Sequence, residues 1–114
     1  MRVKWYNVYF IEQAENDLYE IFSYVATRDS GAAAEKLFQK LVEQCMKLEY
    51  MPERGAHPKE LTRVGIVEFR ELNVKPYRII YQLLVKDVYI HAILDGRRDL
   101  EEHLMGRLLA ETEK

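Results

Sequence analysis

Two long amphipathic repeats set back to back constrain this chain more than any other feature. From about Glu12 to Arg28, Ala14, Leu18, Ile21, Phe22 and Val25 recur at three- and four-residue spacing. From about Ala32 to Met51 the same spacing links Ala34, Leu37, Phe38, Leu41, Val42, Cys45 and Leu48. Each pattern predicts a helix with one apolar stripe. Glu12, Glu15 and Asp17 fall in the first turns of the first helix, where the positive helix N-terminus favours anions. Pro52 ends the second. Only the turn Arg28-Asp29-Ser30-Gly31 separates them, so the two are expected to pack as an antiparallel hairpin. Neither helix can bury its stripe alone, and the surface that takes both is expected to be a sheet.

The remaining segments supply that sheet. Residues 3–10 alternate large apolar groups on both faces, with Val3, Trp5 and Tyr9 on one and Tyr6, Val8 and Phe10 on the other. This predicts a strand that is central or covered on both sides. The stretch Pro52-Glu53-Arg54-Gly55-Ala56-His57-Pro58 reads as irregular, in a loop extending to about Gly65. Three strands then follow at Val67–Val74, Tyr77–Leu84 and Val88–Leu94, joined by short turns at Lys75-Pro76 and Val85-Lys86-Asp87, which predicts an antiparallel meander. Asp99 to Glu113 is helix-prone, with Leu100, Leu104, Leu108 and Leu109 toward one side. The order β-α-α-β-β-β-α is a single α+β domain over residues 1–114, an N-terminal helical hairpin on a small antiparallel-rich sheet.

The net charge of −2 is unevenly spread. Residues 11–51 carry eight acids against four basic residues, residues 52–98 six against nine, and the tail from 99 five against two. A protein living on nucleic-acid backbone alone is usually more uniformly basic, because phosphate neutralisation drives its affinity. Cys45 is the only cysteine, so no disulfide forms within the chain and a reducing cytoplasm is the expected compartment. Its place among Leu41, Val42 and Leu48 predicts a buried, unreactive thiol. The early acids Glu12, Glu15, Asp17 and Glu20 interrupt any apolar run, so no signal peptide or membrane span is expected. His57, His91 and His103 fall on a loop, a strand and a helix without ligand spacing, and no metal or other cofactor is implied. Neither a phosphate-binding glycine loop nor a Gly-x-Ser-x-Gly elbow is present.

Four local patterns resemble the RelE/ParE toxin superfamily of type II toxin–antitoxin systems. The first helix reads Ala14-Glu15-Asn16-Asp17-Leu18-Tyr19-Glu20-Ile21-Phe22-Ser23-Tyr24, similar to the family's A-x-x-D-L-x-x-I-x-x-Y. The second ends Leu48-Glu49-Tyr50-Met51-Pro52-Glu53-Arg54-Gly55, similar to L-x-x-x-P-x-x-G. Tyr77-Arg78-Ile79-Ile80-Tyr81 resembles the family's most recognisable strand, and Asp95-Gly96-Arg97-Arg98-Asp99 resembles the ending of ParE-like members. Together they span most of the chain, and the long helical hairpin and the Arg97-to-Leu104 run look ParE-like.

The resemblance implies two kinds of toxin. RelE-type members cut mRNA at the ribosome with arginines, lysines and a tyrosine or histidine, groups that hold the scissile phosphate and move protons. Arg78 and Arg98 match the family's arginines. The C-terminal tyrosine position falls on Leu104, however, with His103 beside it about 100° round the helix. Phe69-Arg70-Glu71 stand where paired lysines would be, leaving His91 or His103 to do any proton transfer. His91 is expected on the sheet face of Tyr89 and Ile93, packed. Arg70, Arg78, Arg97 and Arg98 are therefore candidates for target or phosphate contact. Each has a structural alternative: Arg78 paired with Glu68 or Glu71, Arg70 beside the same acids, and Arg97 and Arg98 clustered with Asp95 and Asp99.

ParE-type members are instead binding proteins that trap DNA gyrase on cleaved DNA. The acidic balance, the missing tyrosine and the Gly-Arg-Arg-Asp ending favour that reading over the ribosome and mRNA. A member that only binds its antitoxin is the third alternative. In each case the resemblance implies a cognate antitoxin, encoded in the neighbouring reading frame, that lays a folding segment against the hairpin and nearby sheet. Tyr19 and Tyr24 flank the first stripe at about 110° on opposite sides, either as core-edge packing or as antitoxin contacts.

Overall fold

A computed structural model describes residues 5–96 and 99–112. Strand β1 (Asn7–Phe10) leads into helix α1 (Glu12–Arg28) and helix α2 (Gly31–Met46). A single helix α3 turn (Lys59–Thr62) precedes β2 (Phe69–Val74), β3 (Tyr77–Leu84), β4 (Asp87–Asp95) and α4 (Leu100–Thr112). The order and the α+β class are those the sequence predicts, with α3 added inside the loop that read as irregular. Capped by Ser30, α2 starts one residue early, the Ser30 hydroxyl accepting from the Ala33 amide at 3.0 Å. The end of α2 tightens into a 3₁₀ turn at Lys47–Glu49 rather than running to Met51.

The four strands lie in the order β1-β4-β3-β2, with β1 parallel to β4 and the other pairs antiparallel. β1 is therefore an edge strand, not a central one. Val8 and Phe10 point to the helices while Tyr9 is half-exposed on the other face, stacked on Tyr89 with ring centroids 5.5 Å apart. Val3 lies outside the described residues.

The sheet is covered on both faces. On one, Ala14 and Leu18 of α1 and Leu41, Cys45 and Leu48 of the second helical segment pack on Leu72, Val74, Ile79, Tyr81, Val88, Ile90 and Ile93. On the other, Leu61 of α3 and Leu100 and Leu104 of α4 pack on Phe69, Ile80, Ala92 and Leu94. Each fully buried Ile or Leu contributes roughly 1.5–3 kcal/mol relative to exposure.

The register shifts between Ile80 and Tyr81, which pair with Ala92 and Ile90, leaving His91 as an extra residue. That bulge inverts the side-chain alternation beyond it. Ile93 turns to the helical hairpin while His91 stays on the opposite face with Tyr89, so the expectation that His91 and Ile93 share a side is wrong.

Candidate functional site

Arg78 lies on the α3–α4 face of β3, at the floor of a groove of about 530 Å³. Four of its five N–H donors meet carboxylates. Nη1 and Nη2 donate to the two oxygens of Glu60 at 2.5 and 3.0 Å, and Nε and Nη2 to those of Glu71 at 2.7 and 3.0 Å. Glu71, a diagonal neighbour on β2, is one of the two acids the sequence suggests, Glu68 being the other. Glu60 arrives on α3 from a segment that reads as loop, and Pro58 starts that single turn. Side-chain exposure is 11% for Arg78, 13% for Glu71 and 35% for Glu60. The hydrogen bonds from Arg78 hold the Glu60 carboxyl below its ordinary range, and those from Glu60 and Glu71 raise the guanidinium above its own. Two carboxylates on one guanidinium leave a net negative charge where a phosphate would sit.

Arg70 points to the other face. Its Nη1 donates to the carbonyls of Gly55 at 2.9 Å and Glu53 at 3.2 Å, so it pins the loop after α2 rather than facing the groove. Tyr81 holds the same loop, its buried hydroxyl donating to the Pro52 carbonyl at 2.7 Å and accepting from the Gly55 amide at 3.0 Å. A Cβ on Gly55 would meet that hydroxyl at 2.6 Å and the Glu71 carbonyl at 2.7 Å, which is why glycine stands there.

His91 shares a 3.1 Å hydrogen bond with Gln82 and meets Phe69 edge-on at 5.2 Å. His103 is half-buried on α4, where the sequence suggests an exposed helix, and Leu104 beside it is buried. Arg97 and Arg98, and with them their expected ion-pair cluster, lie outside the described residues. Asp99 caps α4, accepting from the Glu102 amide at 3.1 Å.

Besides Glu60, sequence reasoning missed a pair at the sheet edge. β1 accompanies β4 only as far as Ile90, so the outer edge of β4 continues without a strand partner. Asp17 of α1 accepts from the Ile93 amide at 2.9 Å and pairs with Arg107 of α4 at 2.7 Å, while Arg107 also donates to the His91 carbonyl. An ion pair thus closes the edge where a strand is lacking, and joins the helices of opposite faces. The Asp17 of the helix pattern was its visible half; Arg107, ninety residues away, gave no signal.

Tyr19 is 71% exposed and Tyr24 57%, so neither is core-edge packing. Tyr24 lines a second groove of about 430 Å³, between α1 and the ends of β3 and β4. Among the described residues no cluster of three or more potential metal ligands occurs, and no helix is long and apolar enough to cross a membrane.

Residues 8–100 match the family model described as the ParE toxin of the type II toxin–antitoxin system parDE. No curated protein matches in sequence. Among solved structures, a chain of the chromosomal ParDE toxin–antitoxin system of P. aeruginosa is similar with a TM-score of 0.67 at 21% identity, over 79% of this chain and 95% of that one. A chain of the RelBE2 toxin–antitoxin complex of Mycobacterium tuberculosis is similar with a TM-score of 0.59 at 15% identity, over 82% and 94%.

Proposed function

Because this chain belongs to the ParE toxin family of type II toxin–antitoxin systems, we propose that it is a toxin that inhibits DNA gyrase by binding, without cutting RNA itself. The observation that carries this reading is the state of Arg78. A ribonuclease of the RelE type would need that guanidinium free for the scissile phosphate, yet Glu60 and Glu71 occupy four of its five donors. Releasing it would strand two carboxylates beside an incoming polyanion, a cost of several kcal/mol. Arginine is a poor general acid or base because it stays protonated, and the tyrosine position is a buried leucine, Leu104.

The cytoplasmic partner on this reading is a cognate antitoxin docked on the hairpin, with Tyr19 and Tyr24 within its reach. Purified protein should inhibit gyrase supercoiling, leave cleaved DNA complexes behind, and leave mRNA intact on translating ribosomes. Ribosome-dependent cleavage lost in a folded Arg78→Ala or His91→Ala variant would refute it and establish the ribonuclease reading instead.

A further inference from the structure

We propose that the Asp17–Arg107 pair guards the outer edge of β4 against strand addition by a second copy of this chain. The pair has the hydrogen-bonding geometry of the strand residue that is missing there. In a parallel ladder, one residue donates to the carbonyl before its opposite number and accepts from the amide after it. β1 keeps that pattern, its Asn7 amide on the Lys86 carbonyl and the Ile11 amide on the Ile90 carbonyl. A continuing strand would place a residue opposite Ala92, donating to the His91 carbonyl and accepting from the Ile93 amide. The chain turns into α1 instead, and Arg107 supplies the donor and Asp17 the acceptor.

Stability alone gives no reason for charge at this place. The Arg107 and Asp17 side chains are only 16% and 12% exposed, and an ion pair so buried adds little over apolar residues of similar volume. The strand beside it supplies the reason. Val88-Tyr89-Ile90-His91-Ala92-Ile93-Leu94 holds no acid, lysine, arginine, glycine or proline, the composition of segments that pair between chains. Asp87 and Asp95 bracket it, as charges flanking an association-prone strand do. Past Ile90, no strand among the described residues lies along its outer edge. Two copies meeting there present the same residues to each other, so the contact is self-complementary and closes as a pair.

The test is sedimentation of the full chain over a concentration series, with the fold checked by far-UV circular dichroism. Asp17→Leu with Arg107→Met removes both partners together, so no charge is left buried alone. That variant should dimerise with an association constant at least about tenfold above wild type, and deuterium uptake at residues 91–95 should fall as the dimer forms. Asp17→Arg with Arg107→Asp keeps an ion pair between α1 and α4, but sets a donor against the Ile93 amide and an acceptor against the His91 carbonyl. It should associate as the apolar variant does. Should the apolar variant misfold, Arg107→Met alone, which uncovers only the His91 carbonyl, should still associate more than wild type. Folded variants as monomeric as the wild-type chain, or a charge swap that restores the monomer, would overturn the proposal. So would association that protects a segment other than 91–95, or a wild-type chain that already pairs through β4.

Discussion

Replacing Tyr81 by Phe tests whether the family's tyrosine-rich strand is there to hold the fold. The ring is fully buried, and Phe preserves its packing while deleting only the hydroxyl. That atom serves the Pro52 carbonyl and the Gly55 amide at once. A buried polar group left without a partner costs about 1–3 kcal/mol, so two neighbouring ones should cost about 2–4 kcal/mol, less whatever water regains. At about 3–6 °C per kcal/mol for a domain of this size, the melting temperature should fall by about 6–24 °C. Urea unfolding followed by far-UV circular dichroism would measure it. The pH profile adds a second arm. Burial raises the Tyr81 pKa above its unfolded value near 10, so its hydroxyl contributes stability that is present below about pH 10 and lost as pH rises through the folded pKa. The deficit of Tyr81→Phe should therefore narrow in strong alkali. Gly55→Ala strikes the same contact from the other side, and the double variant should lose less than the sum of the two. A loss below about 1 kcal/mol with an unchanged denaturant slope, or full additivity with Gly55→Ala, would refute the reasoning.

Val85, with φ of 56° and almost fully exposed in the two-residue turn between β3 and β4, sits where a β-branched residue is strained. Val85→Gly should stabilise the fold by about 1 kcal/mol, seen as a higher urea midpoint. Arg78→Ala should destabilise by about 2 kcal/mol at pH 7, a figure discounted for the partial exposure of Glu60. Glu60 has a lowered pKa in the fold, so its contribution is present above the unfolded carboxylate value near 4.3 and lost as pH falls through the folded one; the Arg78→Ala deficit should shrink there in acid denaturation curves. Cys45, whose thiol is pushed up to about 12 by burial, should react with a thiol reagent only at the rate of unfolding; rapid native labelling would contradict its burial.

Much of the fold was legible because period and breakers are local. The three- and four-residue spacing of α1 and α2 and the short meander turns each follow from neighbours in the chain, whereas the Ser30 and Asp99 caps emerge only in the structure. The candidate site was less so. Arg78 and its cross-strand Glu71 could be paired from strand alternation, but Glu60 could not, because a single helical turn such as α3 carries too few residues to show a period. The His91 bulge was hidden as well: nothing within β4 marks one extra residue until β3 fixes the pairing, and that one residue moves Ile93 to the opposite core.

By itself the sequence determined the element order, the α+β class and which stripes must be buried, since these depend on the repeat of apolar residues along one segment. Tertiary structure decided what the charged residues do. Arg70 looked like a surface cation and is a brace on the Gly55 loop; Asp17 looked like a favourable helix-start acid and closes a sheet edge with Arg107. A long charged side chain reaches several ångströms in any direction, so its partner is set by whichever elements packing brings alongside. That depends on the whole sheet and both helical layers, which no local window of sequence contains.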